Sequence, residues 1–167
     1  LHAALPDTAI GRTLGSIKPY FRSVLQYVDV FTRVSPAAGA YLEEVIENVS
    51  MYEVPNGIEL PRGSVRRSRR DPATILYIGR LEKRKGPKYL IKAFEIVKQN
   101  LPSARLVIAG DGHDRKQLES YVRKHKIEDV EFRGYISDKE KQTLLKKSGL
   151  FCSPAIYGES FGIVLLE

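Results

Sequence analysis

From Ala73 onward, apolar runs alternate with amphipathic stretches. Thr74-Ile75-Leu76-Tyr77-Ile78 is a short, β-rich apolar run, the pattern of a strand covered on both faces. Tyr89 to Asn100 sets Leu90, Ile91, Phe94 and Val97 at helical spacing, and Pro102 follows its end. Arg105–Ala109 predicts a second strand, Gln117–His125 a second helix and Val130–Tyr135 a third strand. Asp138–Lys147 predicts a third helix, with Ser137 as N-cap and Glu140 at the capping-box position. Leu150–Ser153 predicts a fourth strand. Strands alternating with helices specify a parallel, doubly wound α/β sheet, whose ligands bind at the carboxyl ends of the strands.

The earlier segment is also α/β. Lys18–Tyr27 reads as helix and Val30–Val34 as strand. Ala37–Glu47 reads as helix, with Ser35 as cap and Pro36 at its first position. Val49–Val54 reads as another strand, ended by the turn Pro55-Asn56-Gly57. This stretch is too short for a complete domain. The expected division is 1–57 as the end of one Rossmann-like domain, 58–72 as a basic linker and 73–167 as a second domain. The chain starts without methionine and stops inside a predicted element, so it is expected to be a segment of a longer protein.

Composition narrows the class. The chain is 43% hydrophobic and 28% charged, a globular balance. Its 27 Lys and Arg against 20 Asp and Glu give a net charge of +7. A solvated basic surface accounts for this, as does attraction to a phosphorylated ligand or an anionic membrane. Arg62 to Arg70 holds five arginines, as a solvated linker or a contact for acidic head groups. Nucleic acid is disfavoured, because no aromatic-rich stacking motif accompanies the basic residues. Cys152 is the only cysteine and lies in an apolar run, so it reads as a small buried residue. No apolar run approaches the roughly 18 residues of a membrane span, and Leu1–Pro6 lacks the features of a signal peptide.

Two places carry candidate chemistry. The strand ending at Ile78 runs into Gly79-Arg80-Leu81-Glu82-Lys83-Arg84-Lys85-Gly86. Glycine there lets a ligand approach the backbone; Arg80 as a planar fork and Lys85 as a point charge can reach a diphosphate. Ordinary solvated charge is the alternative. The second place is Glu159-Ser160-Phe161-Gly162-Ile163-Val164-Leu165-Leu166-Glu167. A loop opening a helix offers free N–H groups to phosphate. On one helix the two glutamates would be offset by about 80° and about 12 Å. With Glu159 in the loop, both can face different parts of one long ligand. Ala109-Gly110-Asp111-Gly112 lacks the third glycine of a dinucleotide fingerprint, where Arg115 stands. His2, His113 and His125 have no metal-ligand spacing.

Taken together, these motifs resemble retaining glycosyltransferases of the GT-B fold, in the large family that includes phosphatidylinositol mannosyltransferases, sucrose synthases and bacterial glycogen synthases. The matching pieces are Pro55-Asn56-Gly57-Ile58, Gly79-Arg80-Leu81 with Lys85-Gly86, Ala109–Gly112, Phe132-Arg133-Gly134-Tyr135-Ile136 and Glu159 to Glu167. They occur in the family's order. The resemblance implies the tail of an N-terminal, acceptor-side domain followed by part of a C-terminal domain that binds a nucleotide-sugar.

The resemblance also implies roles. Gly79, Arg80 and Lys85 would hold the donor diphosphate, and Arg80 and Lys85 would stabilise its departure. Glu159 would contact the transferred sugar, and the backbone N–H groups of Ser160, Phe161, Gly162 and Ile163 the sugar and phosphate. Glu167 would bind the ribose, Ile136 the base through its backbone, and His2 would face the sugar from across the cleft. Glu159, Arg80, Lys85 and His2 are thus the catalytic expectations. No metal or cofactor is implied. The donor would be GDP-mannose or a UDP-hexose, and the acceptor a glycan or lipid. The expected location is cytoplasmic, with peripheral contact at the inner face of an anionic membrane. The 167-residue piece alone is expected to be inactive. A nucleotide-sugar epimerase or phosphorylase on this fold, and a non-catalytic nucleotide-binding domain, are the alternatives.

Overall fold

A computed structural model describes residues 19–20, 23–38, 40, 50–58, 70–157, 159 and 162–166. The chain divides into two compact units, residues 1–58 with 160–163 and residues 59–159 with 164–167.

In the first unit, β1 (Phe31–Arg33) pairs in parallel with β2 (Met51–Glu53), Phe31 opposite Met51. Both are three-residue cores of the longer strands expected there. The expected first helix is described at 19–20 and 23–25. The second begins at Pro36, where the Ser35 hydroxyl accepts from the Ala38 N–H at 3.3 Å. The fixed φ of proline and the serine oxygen explain that start.

The second unit follows the alternation in the sequence. Its elements are β3 (Asp71–Ile78), α1 (Pro87–Asn100), β4 (Arg105–Ala109), α2 (Arg115–Lys124), β5 (Val130–Gly134), α3 (Asp138–Lys147) and β6 (Ser148–Phe151). A 3-10 turn at Lys83–Lys85 precedes α1. All four strands are parallel, in the order β5-β4-β3-β6. Leu76 stands opposite Val107 on one side and Phe151 on the other. The chain moves outward from β3 to β5, then returns to the far side of β3. The order therefore reverses between β3 and β6, and a crevice forms at their carboxyl ends.

The core explains the helix positions. Leu90, Ile91 and Phe94 on α1 are buried against Tyr77, Leu106 and Ile108, with Leu118 of α2 and Ile127. Each fully buried Leu, Ile or Phe contributes roughly 1.5–3 kcal/mol. Val97, expected on the same stripe, is 36% exposed because it falls in the helix's last turn. Ser137 accepts from the Glu140 N–H while Glu140 accepts from the Ser137 N–H, so the expected capping box is formed.

The amino end of the sheet is closed by Lys98. Its ammonium donates to the carbonyls of Pro102 and Ala104 and pairs with Asp129, just before β5. The final described element is the single turn α4 (Ile163–Leu166).

Candidate functional site

The loop after β3 is held from below before any side chain reaches out. Gly79 N–H donates to Ala109 O at 3.0 Å and Leu81 N–H to Asp111 O at 2.9 Å, tying this loop to the end of β4. Tyr77, 2% exposed, donates its hydroxyl to Arg80 O at 2.8 Å. Burial pushes the Tyr77 pKa well above its ordinary value, so the phenol stays a donor and fixes the Arg80 backbone.

The loop after β6 is joined to the same place. Ile156 N–H donates to Arg84 O at 2.9 Å. Gly86 adopts φ 71° and packs so closely that a Cβ there would lie 2.0 Å from Pro154 O. That left-handed residue then serves as the N-cap of α1, with Pro87 following.

These backbone contacts bring Lys85 to Glu159. Lys85 Nζ lies 2.5 Å from Glu159 Oε2, with side chains 22% and 32% exposed. Glu159 is the partner that Lys85 has among the described residues. The pair joins the ends of β3 and β6, on either side of the topological switch point. A cation and an acceptor of hydroxyl hydrogen bonds thus stand side by side, each partly exposed. Phosphate suits the first and a polyhydroxylated group the second.

Arg80 stands on the same loop with its side chain 69% exposed. Its Nε lies 3.3 Å from Glu82 Oε1, and Arg84 Nε approaches the same oxygen at 2.9 Å. Glu82 and Tyr77 were not singled out from the sequence. Glu82 lies between the two arginines, and that spacing was the available signal. Tyr77 gave none, because a strand tyrosine facing the core looks like any other apolar position.

The other expected residues divide by what is described. Ile136 follows β5 at the same carboxyl edge. Two strand spacings separate β5 from β3, roughly 10 Å. Gly162 is buried and Ile163 opens α4. His2, Ser160, Phe161 and Glu167 lie outside the described residues.

The Ala109–Gly112 loop is built around Arg115, which donates to Asp111 at 2.9 Å and to Glu119 at 2.8 Å. The residue that breaks the dinucleotide fingerprint therefore braces the loop. Cys152 packs against the core, and its burial raises the thiol pKa, opposite to what a nucleophile needs. A hollow of about 370 Å³ between α1 and α2, lined by Lys83, Lys88 and Lys92 among others, contains none of the expected donor residues. Among the described residues no group of three His, Cys, Asp or Glu is arranged to hold a metal. No helix among them is long and apolar enough to cross a membrane.

Comparison with known proteins fits this geometry. Glycogen synthase of Mycobacterium tuberculosis (strain ATCC 25618 / H37Rv) is 36% identical over 117 residues, covering 68% of this chain and 28% of that protein. Phosphatidyl-myo-inositol mannosyltransferase of Mycobacterium leprae (strain TN) is 30% identical over 158 residues, covering 92% of this chain and 40% of that one. The pneumococcal O-GlcNAc transferase GtfA, solved with UDP and GlcNAc, superposes with a TM-score of 0.70 at 21% identity. That superposition covers 88% of this chain and 29% of GtfA, and it shows the GT-B type of fold. The chain thus spans between about a quarter and two fifths of the length of these relatives. The family described as glycosyl transferases group 1 matches residues 64–167, which include the Lys85–Glu159 pair. The chain belongs to the group 1 glycosyl transferases.

Proposed function

We propose that the protein of which this chain is part transfers a hexose from a nucleoside-diphosphate sugar to an acceptor, with retention of configuration. The observation that carries the reading is the Lys85–Glu159 pair at the crevice between β3 and β6. Lys85 and the exposed Arg80 hold the diphosphate and stabilise the charge that develops as the nucleoside diphosphate leaves. Gly79 lets the phosphate approach the backbone. Glu159 accepts hydrogen bonds from the sugar hydroxyls. The backbone N–H groups of Ser160 to Ile163 complete the sugar and phosphate contacts. Ile136 meets the base, Glu167 the ribose, and His2 the sugar from the acceptor side. The transition state is oxocarbenium-like, and acceleration comes from positioning and charge stabilisation rather than a protein nucleophile. No metal or cofactor takes part.

GDP-mannose is the favoured donor and a UDP-hexose the next. The mannosyltransferase relative supports the first, and the UDP bound in GtfA supports the second. A lipid or glycan acceptor, a cytoplasmic location and peripheral contact with an anionic membrane complete the proposal. The net charge of +7 supports the last point.

The test is a screen of nucleotide-sugars against the full-length protein, reading thermal stabilisation and sugar transfer. One donor is expected to stabilise and to turn over, and Glu159→Ala is expected to lower turnover by about 100-fold or more. Unchanged transfer by Glu159→Ala would rule out the role given to that carboxylate.

A further inference from the structure

Lys85 and Glu159 are assigned to different parts of one donor, yet here they neutralise each other. The contact is built in. The Ile156–Arg84 hydrogen bond and the Gly86–Pro154 approach hold the two loops together through backbone atoms alone. The two loops are therefore held together by contacts that use neither charged group. A phosphate that approaches Lys85 must compete with a carboxylate on the same chain, at high effective concentration.

We propose that the Lys85–Glu159 pair discriminates between the intact donor and the spent nucleoside diphosphate. This rests on the donor-site reading above. An intact donor satisfies both members: its phosphate replaces the carboxylate at Lys85, and its sugar hydroxyls donate to Glu159. A nucleoside diphosphate satisfies only Lys85. It takes Lys85 away from Glu159 and sets a phosphate of the same sign beside the carboxylate. A specificity element of this kind works by repelling the wrong ligand. Its consequence is that product leaves once the sugar has been transferred, because the carboxylate reclaims the lysine.

The proposal makes an unusual demand of a sugar-binding residue: removing its charge must strengthen the binding of diphosphate. Calorimetry on the full-length protein tests this with inorganic pyrophosphate, UDP and GDP. Glu159→Gln is expected to bind pyrophosphate roughly two- to fivefold tighter than the unmodified protein, as for a partly exposed ion pair. The same variant binds the intact nucleotide-sugar more weakly, so the preference for donor over product shrinks. Glu159→Asp keeps the negative charge and keeps the weak pyrophosphate binding. Unfolding midpoints measured alongside establish that each variant is folded.

Pyrophosphate affinity that is unchanged or lower in Glu159→Gln overturns the proposal. Lys85→Gln separates the two levels of the account. If it weakens pyrophosphate binding while Glu159→Gln fails to strengthen it, the donor site stands and the discrimination falls. If Lys85→Gln leaves pyrophosphate binding untouched, both fall.

Discussion

Lys98 and Lys85 stand at opposite ends of the same four-stranded sheet and are held in different ways. Lys98, with its side chain 14% exposed, reaches two backbone carbonyls and the Asp129 carboxylate. Its three donors are used, and every partner belongs to a segment that enters β4 or β5. Lys85 is nearly as covered, at 22%, but has one partner among the described residues, the Glu159 carboxylate. An ammonium has three donors. The amino end of the sheet thus satisfies its lysine completely, and the carboxyl end leaves its lysine with capacity for a ligand.

The contrast predicts that changes at the two ends separate stability from activity. The largest expected effect falls where both are served by one residue. Gly86→Ala forces a Cβ onto Pro154 O at φ 71°. It is expected to cost about 1–3 kcal/mol in chemical denaturation and to lower sugar transfer as well, because the loops carrying Lys85 and Glu159 must part. Normal stability in Gly86→Ala would contradict the clamped geometry.

Lys98→Met comes next. It should lower the unfolding midpoint by roughly 4–8 °C through lost hydrogen bonds to carbonyls, while donor affinity stays within about twofold. A selective loss of donor binding would erase the distinction between the two ends.

The smallest effect is that of pH. Hydrogen bonds hold four carboxyls below their ordinary pKa: Asp71 through Thr74, Asp111 through Gly112, Asp129 through Lys98 and Glu140 through Ser137. A depressed folded pKa means that the folded state binds protons less readily than the unfolded chain. The stabilisation is present above the usual carboxylate range near 4 and is lost as pH falls through the lower folded values. The unfolding midpoint should therefore drop between about pH 5 and about pH 2. Lys98→Met should flatten that fall by removing the contribution of Asp129.

Much of the second unit was legible because local signals agree with packing. Arg105–Ala109 and Asp138–Lys147 have the bounds expected from pattern alone, the latter because its capping box defines its start. Other boundaries depend on partners distant in sequence. The last strand begins at Ser148 rather than Leu150. There Ser148 donates back to Leu144 O, and Gly149 passes so close to Asp71 and Pro72 that a Cβ would lie 2.6 Å from either backbone. Its neighbour β3 correspondingly starts at Asp71, whose carboxylate accepts from Ala73 N–H and Thr74 Oγ1. Pro87 at the start of α1 was a readable signal, since proline after a left-handed glycine marks a first helical turn.

Some residues of the candidate site could be picked out from the sequence one by one, but their pairing could not. Arg80, Lys85 and Glu159 are recognisable as motif positions. That Glu159 meets Lys85 across 74 residues depends on β6 returning beside β3. Glu82, which draws Arg80 and Arg84 together, looks in the sequence like one more surface charge.

The central claim is that the lysine at the carboxyl end serves the ligand, as the lysine at the amino end serves the fold. It is tested most directly by sugar transfer from a nucleotide-sugar by full-length Lys85→Gln, with its unfolding midpoint measured on the same sample. The account predicts a loss of about 100-fold or more in turnover with the midpoint nearly unmoved. Turnover within about twofold of the unmodified protein, in a folded variant, would contradict it.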